Sequence, residues 1–219
     1  MEKMIKQVFF DLDGVIFDSY QIWDDLVNHL LALKSLSLTD QIQDQLWSLS
    51  MSEADTYLSG LLISEFQAQD IADIKHQLLI DGYAHVTLMK NAKKTIEKLA
   101  EMGFQLYAIT SNYKQIAEIG LRSAGIFDYF TDVLSVMDTV FEDKHAAYFQ
   151  YIANEYHFDL EKIPLVEDSI SNLKAAKSVN MKTIYYQNNL YTIKPEDYSE
   201  VDIILNDLSE LPAIIEKHL

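Results

Sequence analysis

The amino-acid sequence predicts an α/β protein in which a Rossmann-like parallel sheet is flanked by helices and carries an inserted all-helical cap. Short apolar runs, such as residues 8–10 and 104–109, have the length of buried strands, and such runs suit parallel strands covered on both faces. Further along the chain these runs alternate with helical patterns, which indicates right-handed crossovers within one sheet. Residues 19–85 show helical periodicity without strand signals. We therefore expect a core formed by residues 1–18 and 86–219 and a helical cap formed by residues 19–85.

The composition limits the class of protein. The 219 residues suffice for one substantial core with a small insertion. A formal net charge of -17 argues against a nucleic-acid or anionic-membrane partner, and it requires an anionic substrate to meet local positive charge or a bound cation. The absence of cysteine excludes disulfides and thiolate metal sites. Because Asp11 and Asp13 interrupt the first apolar run, we expect no signal peptide and a cytoplasmic protein.

The first predicted strand, residues 8–10, runs directly into Asp11-Leu12-Asp13-Gly14. Side chains two apart on an extended chain point the same way, so the two carboxylates repel each other and a cation relieves the repulsion. Gly14 allows the backbone to turn away sharply. In open α/β sheets the ligand crevice lies past the carboxyl ends of the strands. Asp11 and Asp13 are therefore candidate metal or catalytic groups, and the alternative is that they only end a strand.

Four helices are predicted in the cap. The first begins after Asp18 and carries apolar residues at helical spacing. The second begins near Thr39 or Asp40, both of which can cap a helix. The third begins near Ser52, with acidic residues in its first turn. The fourth begins at Ser64, which opens a sequence that fits a capping box.

The core is predicted to continue from a helix that Asn91 caps and Gly103 ends, and Gly125 ends the next helix. The remaining elements are strands at 104–109, 133–136, 163–166, 183–186 and 201–205, and helices at 146–156, 173–179 and 208–219. Residues 187–200 are polar and resemble a linker. This order indicates a single parallel sheet with helices on both faces.

Three predicted strands end in polar clusters, and a lysine lies between the last two clusters along the chain. The groups are Asp11 with Asp13, then Thr110 with Ser111 and Asn112, then Lys144, and finally Glu167 with Asp168. A carboxylate can act as a nucleophile and form an aspartyl-phosphate, Mg²⁺ prefers oxygen ligands, and hydroxyl and ammonium groups can hold phosphoryl oxygens. Taken singly, Thr110 to Asn112 is typical of a helix cap, and Lys144 of a surface lysine. If the strands are neighbours, the groups meet at one edge of the sheet and indicate phosphoryl transfer.

The same residues resemble the motifs of the haloacid dehalogenase (HAD) superfamily. Residues 10–19 resemble its first motif, residues 106–112 its second, Lys144 its third and residues 166–169 its fourth. The resemblance covers nearly the whole chain. It implies the fold of that superfamily, with a helical cap inserted between the first and second motifs.

The resemblance also implies a role for each matched side chain. Asp11 is the expected nucleophile, and Asp13 is the expected general acid and base, with its backbone carbonyl on the metal. The expected phosphate-binding residues are Thr110, Ser111, Asn112 and Lys144. The expected Mg²⁺ ligands are Asp11, Asp13, Glu167 and Asp168, of which the last two bind the metal directly or through water. An acid at position 13 favours phosphatase over dehalogenase chemistry, because ester hydrolysis needs a proton for the leaving group.

We therefore expect a Mg²⁺-dependent phosphatase that hydrolyses a small phosphorylated metabolite through an aspartyl-phosphate, and Asn172 makes the chain similar to nucleotidase-like members. The alternatives are a sugar phosphomutase and a catalytically idle binding protein on the same fold. A mutase must bind a second phosphate, which Glu53 would repel, and Trp23 stands where mutases carry a histidine. The few cations of the cap predict a leaving group that is neutral or only weakly charged, apart from the transferred phosphate. Candidate pocket residues, whose alternative role is packing, are Tyr20, Trp23, Trp47 and Met51.

Overall fold

The computed structural model describes residues 6–47, 49, 51–62, 68–188 and 193–218. The strands are β1 Gln7–Phe10, β2 Phe17–Asp18, β3 Thr87–Leu88, β4 Gln105–Thr110, β5 Phe130–Ser135, β6 Pro164–Glu167, β7 Lys182–Tyr186 and β8 Ile203–Leu205. Six of them form one parallel sheet in the spatial order β5-β4-β1-β6-β7-β8. The predicted parallel α/β architecture is confirmed.

The helices cover both faces of this sheet. They are α1 Tyr20–Ala32, α2 Asp40–Trp47, α3 Met51–Leu62, α4 Ala68–Tyr83, α5 Ala92–Glu101, α6 Lys114–Ser123, α7 Ala146–Tyr156, α8 Ile170–Ser178 and α9 Leu211–His218. Phe10 of β1 belongs to an apolar cluster with α5, α6, α9 and the helices before β3. Its neighbour Phe9 belongs to a second cluster with α7 and α8 on the opposite face. Alternation along the central strand therefore places one apolar layer on each side.

The register of the central strand brings the three polar strand ends together. Phe9 pairs with Tyr107 of β4 on one side and with Leu165 of β6 on the other. One residue beyond the end of β1, the Asp11 backbone N–H donates to the Val166 carbonyl at 2.9 Å. The strands thus end at one edge of the sheet, which is where parallel α/β sheets hold their ligands.

Four consecutive helices, α1 to α4, separate the first strand from the rest of the sheet. The two chain segments on either side of these helices form the short antiparallel ribbon of β2 and β3, in which Phe17 pairs with Leu88 and Asp18 with Thr87. Sequence reasoning missed this ribbon, because two residues are too few for a periodic signal. Thr39 accepts a hydrogen bond from the Ile42 N–H at 3.3 Å, as a helix cap would.

Several predicted helix ends need correction. Asn91 precedes α5 at a positive φ of 64°, but its side chain makes no capping bond; it donates to Asp207 Oδ1 at 2.8 Å instead. The glycines predicted to end α5 and α6, Gly103 and Gly125, do adopt positive φ. The predicted capping box at Ser64 lies outside the described residues.

Two other boundaries also shift. α8 begins three residues before the predicted start at 173, and α9 begins at Leu211 after a short 3₁₀ turn at Leu208–Glu210. Part of the predicted linker, Pro195–Glu200, is also a 3₁₀ helix. Among the described helices, none has the length and apolar character that a membrane span requires.

Candidate active site

The turn after β1 requires a glycine. Gly14 has a φ of 86°, a conformation that other residues rarely adopt. A Cβ at this position would lie 2.2 Å from both Asp168 Oδ2 and the Tyr20 hydroxyl. The glycine therefore allows the ends of β1 and β6 to approach, and it brings the carboxylates of both strands into one site.

Lys144 lies at the centre of this site, just before α7. Its Nζ is 2.5 Å from Asp11 Oδ1 and 2.7 Å from Glu167 Oε2, and all three residues are at least 95% buried. Burial disfavours the lysine charge, but the two carboxylates outweigh this effect and raise the pKa of Lys144 above its ordinary value. Lys144 is therefore a buried cation that bridges two strands, and the interpretation as a surface lysine is wrong.

The Glu167 carboxylate accepts four hydrogen bonds. Oε1 accepts from the backbone N–H groups of Asp168 and Ser169, each at 3.0 Å. Oε2 accepts from Lys144 and, at 3.2 Å, from the Asn172 side chain. Both oxygens are thus fixed by the protein itself. In the sequence Asn172 indicates only a likeness to one subfamily, and nothing near it predicts its contact with this carboxylate.

The Asp168 carboxylate is held from two other parts of the chain. Its Oδ2 accepts from the Tyr20 hydroxyl at 2.6 Å and from Asn188 Nδ2 at 2.7 Å. Asn188 also donates to the Gly14 carbonyl at 3.2 Å. Burial and the charge of Glu167 raise the pKa of Asp168 to about 7. Asn188 was not identified from the sequence, because it lies in the polar stretch after β7 and has no motif around it.

Three carboxylates at this edge form a possible metal site. Oxygen atoms of Asp11, Glu167 and Asp168 all lie within 4.8 Å of one another. Burial and repulsion by the nearby Glu167 charge raise the pKa of Asp11 well above its ordinary value, although Lys144 opposes this rise. A cluster of carboxylate oxygens suits a hard divalent cation such as Mg²⁺. The Asp13 carboxylate is not a member of this group.

Asp13 instead contacts residues before and within the inserted helices. Its Oδ1 accepts hydrogen bonds from the Ser19 hydroxyl at 2.6 Å and from the Tyr83 hydroxyl. The Trp23 indole N–H donates to the Tyr83 oxygen at 3.1 Å. Burial raises the pKa of Asp13, and the bonds from Ser19 and Tyr83 oppose this rise. A chain of donors therefore connects α1 and α4 to this carboxylate.

The residues that end β4 lie close to the lysine. Thr110 and Asn112 are buried, and the Asn112 backbone N–H donates to Thr110 Oγ1 at 3.0 Å. Ser111 Oγ donates to Asp143 Oδ1 at 3.0 Å, and the same oxygen accepts the Lys144 backbone N–H at 2.8 Å. Asp143 thus links the loop after β4 to the loop that carries the lysine.

These residues do not act as a simple side-chain cap of the following helix. α6 begins at Lys114, and the residue before it, Tyr113, makes no side-chain capping bond. The side-chain oxygen Oδ1 of Asn112 accepts from the backbone N–H of the adjacent Tyr113 at 2.8 Å. The interpretation of this segment as a helix cap alone is therefore wrong.

A cleft of about 480 Å³ opens beside the carboxylates. Its lining includes Asp13, Tyr20 and Asp168, with Lys194 at the exposed end. The cleft is large enough for a small metabolite, and it reaches carboxylates from two strands and a tyrosine from α1. Of the other cap residues singled out from the sequence, Trp23 contacts Tyr83, and the side chains of Trp47 and Met51 lie outside the described part of the chain.

A buried lysine between carboxylates, at the carboxyl edge of a parallel sheet, is typical of an α/β enzyme whose chemistry uses acidic groups. Comparison with known families specifies which one. The model of the haloacid dehalogenase-like hydrolases matches residues 8–186, and the chain belongs to that family.

Known proteins are similar to the chain over nearly its whole length. A phosphoglycolate phosphatase of Vibrio parahaemolyticus is 25% identical over 96% of both chains. The structure of a predicted phosphoglycolate phosphatase from Haemophilus somnus 129PT aligns with a TM-score of 0.80 at 20% identity, covering 98% of this chain and 99% of that one. The magnesium-bound HAD hydrolase YfnB of Bacillus subtilis, whose structure is described as revealing interdomain movement, aligns with a TM-score of 0.76 at 21% identity, covering 98% and 100%.

These comparisons confirm the predicted superfamily and the predicted class of phosphoric monoester hydrolase. The structural likeness shows the fold alone, which phosphatases and phosphomutases share. The comparisons do not assign the roles of individual residues, the metal or the leaving group, which are inferred below from the chemistry of the site.

Proposed function

We propose that the protein is a Mg²⁺-dependent phosphomonoesterase that acts on a small phosphorylated metabolite through an aspartyl-phosphate on Asp11. The observation that carries this proposal is the buried bridge from Lys144 to Asp11 and Glu167. A buried ammonium beside a carboxylate nucleophile can neutralise charge on a transferring phosphoryl group, and this electrostatic effect is a large part of phosphoryl-transfer catalysis.

The donor set supports Mg²⁺ as the cation. Asp11 and Asp168 are the proposed direct ligands, together with the Asp13 backbone carbonyl. The bonds from Tyr20 and Asn188 occupy Asp168 Oδ2, and Oδ1 is the oxygen that we assign to the metal. Because Glu167 already accepts four hydrogen bonds, we assign it to the metal through water. When bound, Mg²⁺ neutralises these carboxylates and polarises the phosphoryl oxygens.

The phosphoryl group would lie between Asp11 and the donors at the end of β4. Lys144 Nζ and the Thr110 hydroxyl are the proposed donors to its oxygens, together with the hydroxyl and the backbone N–H of Ser111. Asn112 Nδ2 is buried and has no acceptor in hydrogen-bond geometry among the described residues, so it too is available to a phosphoryl oxygen. Asp11 forms the new bond to phosphorus while the bond to the leaving oxygen breaks, and water later hydrolyses the aspartyl-phosphate.

Asp13 is the proposed general acid and base for these two steps. The Trp23 indole nitrogen can only donate, so the Tyr83 hydroxyl must direct its own proton to Asp13 Oδ1. That oxygen also accepts from Ser19. The catalytic proton is therefore assigned to Oδ2, which gives it to the leaving alkoxide and recovers one from the attacking water.

Residues 19–85 are the proposed cap, and residues 1–18 and 86–219 the core. The paired strands β2 and β3 connect the proposed cap to the proposed core. The cap contributes Tyr20, Trp23 and Tyr83 to the contacts described above. Closure of such a cap would exclude water and strengthen the electrostatic interactions of Lys144.

The rival reaction is a sugar phosphomutase, which needs a cationic site for a second phosphate. The two lysines of α1 to α4 and their connections are engaged elsewhere among the described residues. Lys34 Nζ donates to the Leu61 carbonyl at 2.8 Å, and Lys75 is paired with Asp55. This arrangement supports hydrolysis over mutase activity, and the intact carboxylates and lysine argue against an idle binding protein.

The assignment of Asp11 is tested by Asp11→Asn, with the exposed Asp128→Asn as the matched control. We expect the first variant to lose turnover of a generic phosphate ester in MgCl₂ and the second to keep it. Mass spectrometry of acid-quenched wild-type enzyme should detect a phosphate adduct on the peptide that contains Asp11. Retention of a tenth of wild-type activity by Asp11→Asn, or an adduct elsewhere, would show that the nucleophile is a different residue.

A further inference from the structure

The helices α1 to α4 surround a second cavity, of about 240 Å³. Most of its lining is aliphatic or aromatic and comes from several helices: Trp23, Leu26, Val27, Leu38, Leu46 and Leu58. We infer that this cavity receives the leaving group of the substrate, and that this leaving group is apolar and carries no negative charge. The inference rests on the proposed phosphatase function and specifies its substrate class.

The cavity adjoins the catalytic cleft, and the two spaces share one lining residue. Tyr20 lines both spaces, and in the cleft it lies beside Asp168. Trp23 lines the cavity and donates to Tyr83, which in turn donates to Asp13. The wall of the cavity is therefore one side chain away from the carboxylate that we assign as the acid for the leaving group. The inference therefore places the phosphate at Lys144 and the remaining part of the substrate on the cavity side of Asp13.

The charged groups of the cavity disfavour an anion. Its described lining contains two carboxylates, of Asp24 and Asp55, and one ammonium, of Lys75. Lys75 is buried and its Nζ is paired with Asp55, so its charge is already neutralised. The Asp24 carboxylate accepts from the neutral amide of Gln43, through Nε2, at 3.1 Å. A carboxylate on the leaving group would therefore meet net negative charge in a mostly apolar space.

Aromatic and aliphatic walls favour an uncharged ring or chain instead. Burial of apolar surface favours binding of such a group, and a flat ring can also pack against the Trp23 indole. The expected substrates are therefore aryl and long-chain alkyl phosphates, or other monoesters with a neutral apolar group. Small carboxylated esters such as 2-phosphoglycolate are expected to be poor substrates.

Paired substrates that differ in one charge test this inference. Phenyl phosphate and 4-carboxyphenyl phosphate are compared by kcat/KM in MgCl₂, with hexyl phosphate and 2-phosphoglycolate as an aliphatic pair. We expect the neutral member of each pair to be at least about tenfold better, which corresponds to about 1.4 kcal/mol. Equal or better turnover of the carboxylated members would overturn the inference, and hydrolysis of none of the esters would overturn the phosphatase proposal instead.

A cavity variant locates the effect. Leu46→Lys places a cation in the lining, and the same substitution at the exposed Leu36, outside the cavity, is the control. We expect Leu46→Lys to reduce or reverse the preference for phenyl over 4-carboxyphenyl phosphate, and Leu36→Lys to keep the preference of the wild type. An unchanged preference in a folded Leu46→Lys variant would overturn the assignment. If this variant does not fold, competitive inhibition by benzyl alcohol but not by glycolate supports the inference, and the reverse order contradicts it.

Discussion

Replacement of Lys144 by methionine should destabilise the metal-free protein more than any replacement of a surface lysine. Lys144→Met keeps the length of the side chain but removes the charge that lies 2.5 Å from Asp11 and 2.7 Å from Glu167. Removal of one partner of a buried ion pair typically costs about 3–5 kcal/mol, because the other charge stays buried without compensation. In a chain of this size 1 kcal/mol shifts the melting temperature by about 2–4 °C, so the expected decrease is about 6–20 °C.

Protonation of a buried carboxylate should reduce the loss of stability in Lys144→Met. The pKa of Asp11 is already raised by burial and by Glu167, and without Lys144 it rises further, so one carboxylate can become neutral at low pH. The destabilisation of Lys144→Met should therefore be smaller near pH 5 than near pH 8. A bound cation should compensate in part, because a ligand at a hundred times its Kd stabilises the native state by about 2.7 kcal/mol.

The assay is thermal unfolding of wild type, Lys144→Met and Lys162→Met, each in EDTA and in MgCl₂. Lys162 forms an ion pair of similar length, 2.6 Å to Asp159, but both side chains are more than half exposed. Such exposed pairs contribute only about 0–1 kcal/mol to stability. Comparison of the two variants therefore distinguishes the effect of burial from the effect of the distance between the charges. Equal melting temperatures of the two variants in EDTA at pH 8 would refute the view that Lys144 neutralises a buried carboxylate cluster.

The remaining predictions concern metal binding and the Asp13 network. The pKa of Asp168 is raised to about 7 in the native state. Protonation of Asp168 therefore stabilises the metal-free native state at low pH, and this contribution to the free energy of unfolding is lost as the pH rises from about 4 towards 7. Mg²⁺ should therefore raise the melting temperature more at pH 8 than at pH 5, and a pH-independent increase would contradict the assigned site. Tyr83→Phe removes a donor to Asp13 and should lower kcat for an alkyl phosphate by about tenfold, whereas Tyr148→Phe, which removes a buried bond to a backbone carbonyl, should not. Equal rates for these two variants would exclude Tyr83 as a positioning residue.

The sheet and its polar edge could be predicted because their signals are local. The apolar run of β1 and the carboxylates after it are adjacent in sequence, and parallel pairing then brings the ends of β4 and β6 beside them. The position of Lys144 had no local signal. Its burial depends on the loop before α7 meeting two strands, and only the resemblance to a family singled it out.

The contacts that hold the site together were missed because they join distant parts of the chain. Tyr83 is 70 residues from Asp13, and Tyr20 is 148 residues from Asp168. A hydrogen bond of this kind leaves no periodicity, and each tyrosine by itself has the pattern of a core residue. The β2 and β3 ribbon was missed for a different reason, because its partners are only two residues long.

The ribbon of β2 and β3 also has an evolutionary consequence. Because Asp18 pairs directly with Thr87, the chain enters and leaves the proposed cap at points about one strand spacing apart, or about 5 Å. An insertion with adjoining ends can be exchanged for another without moving the sheet to which it is attached. Recombination at this pair of crossings would give the same carboxylate chemistry a different selectivity. The boundary is also suited to the construction of chimaeras, in which the four helices are exchanged as one module.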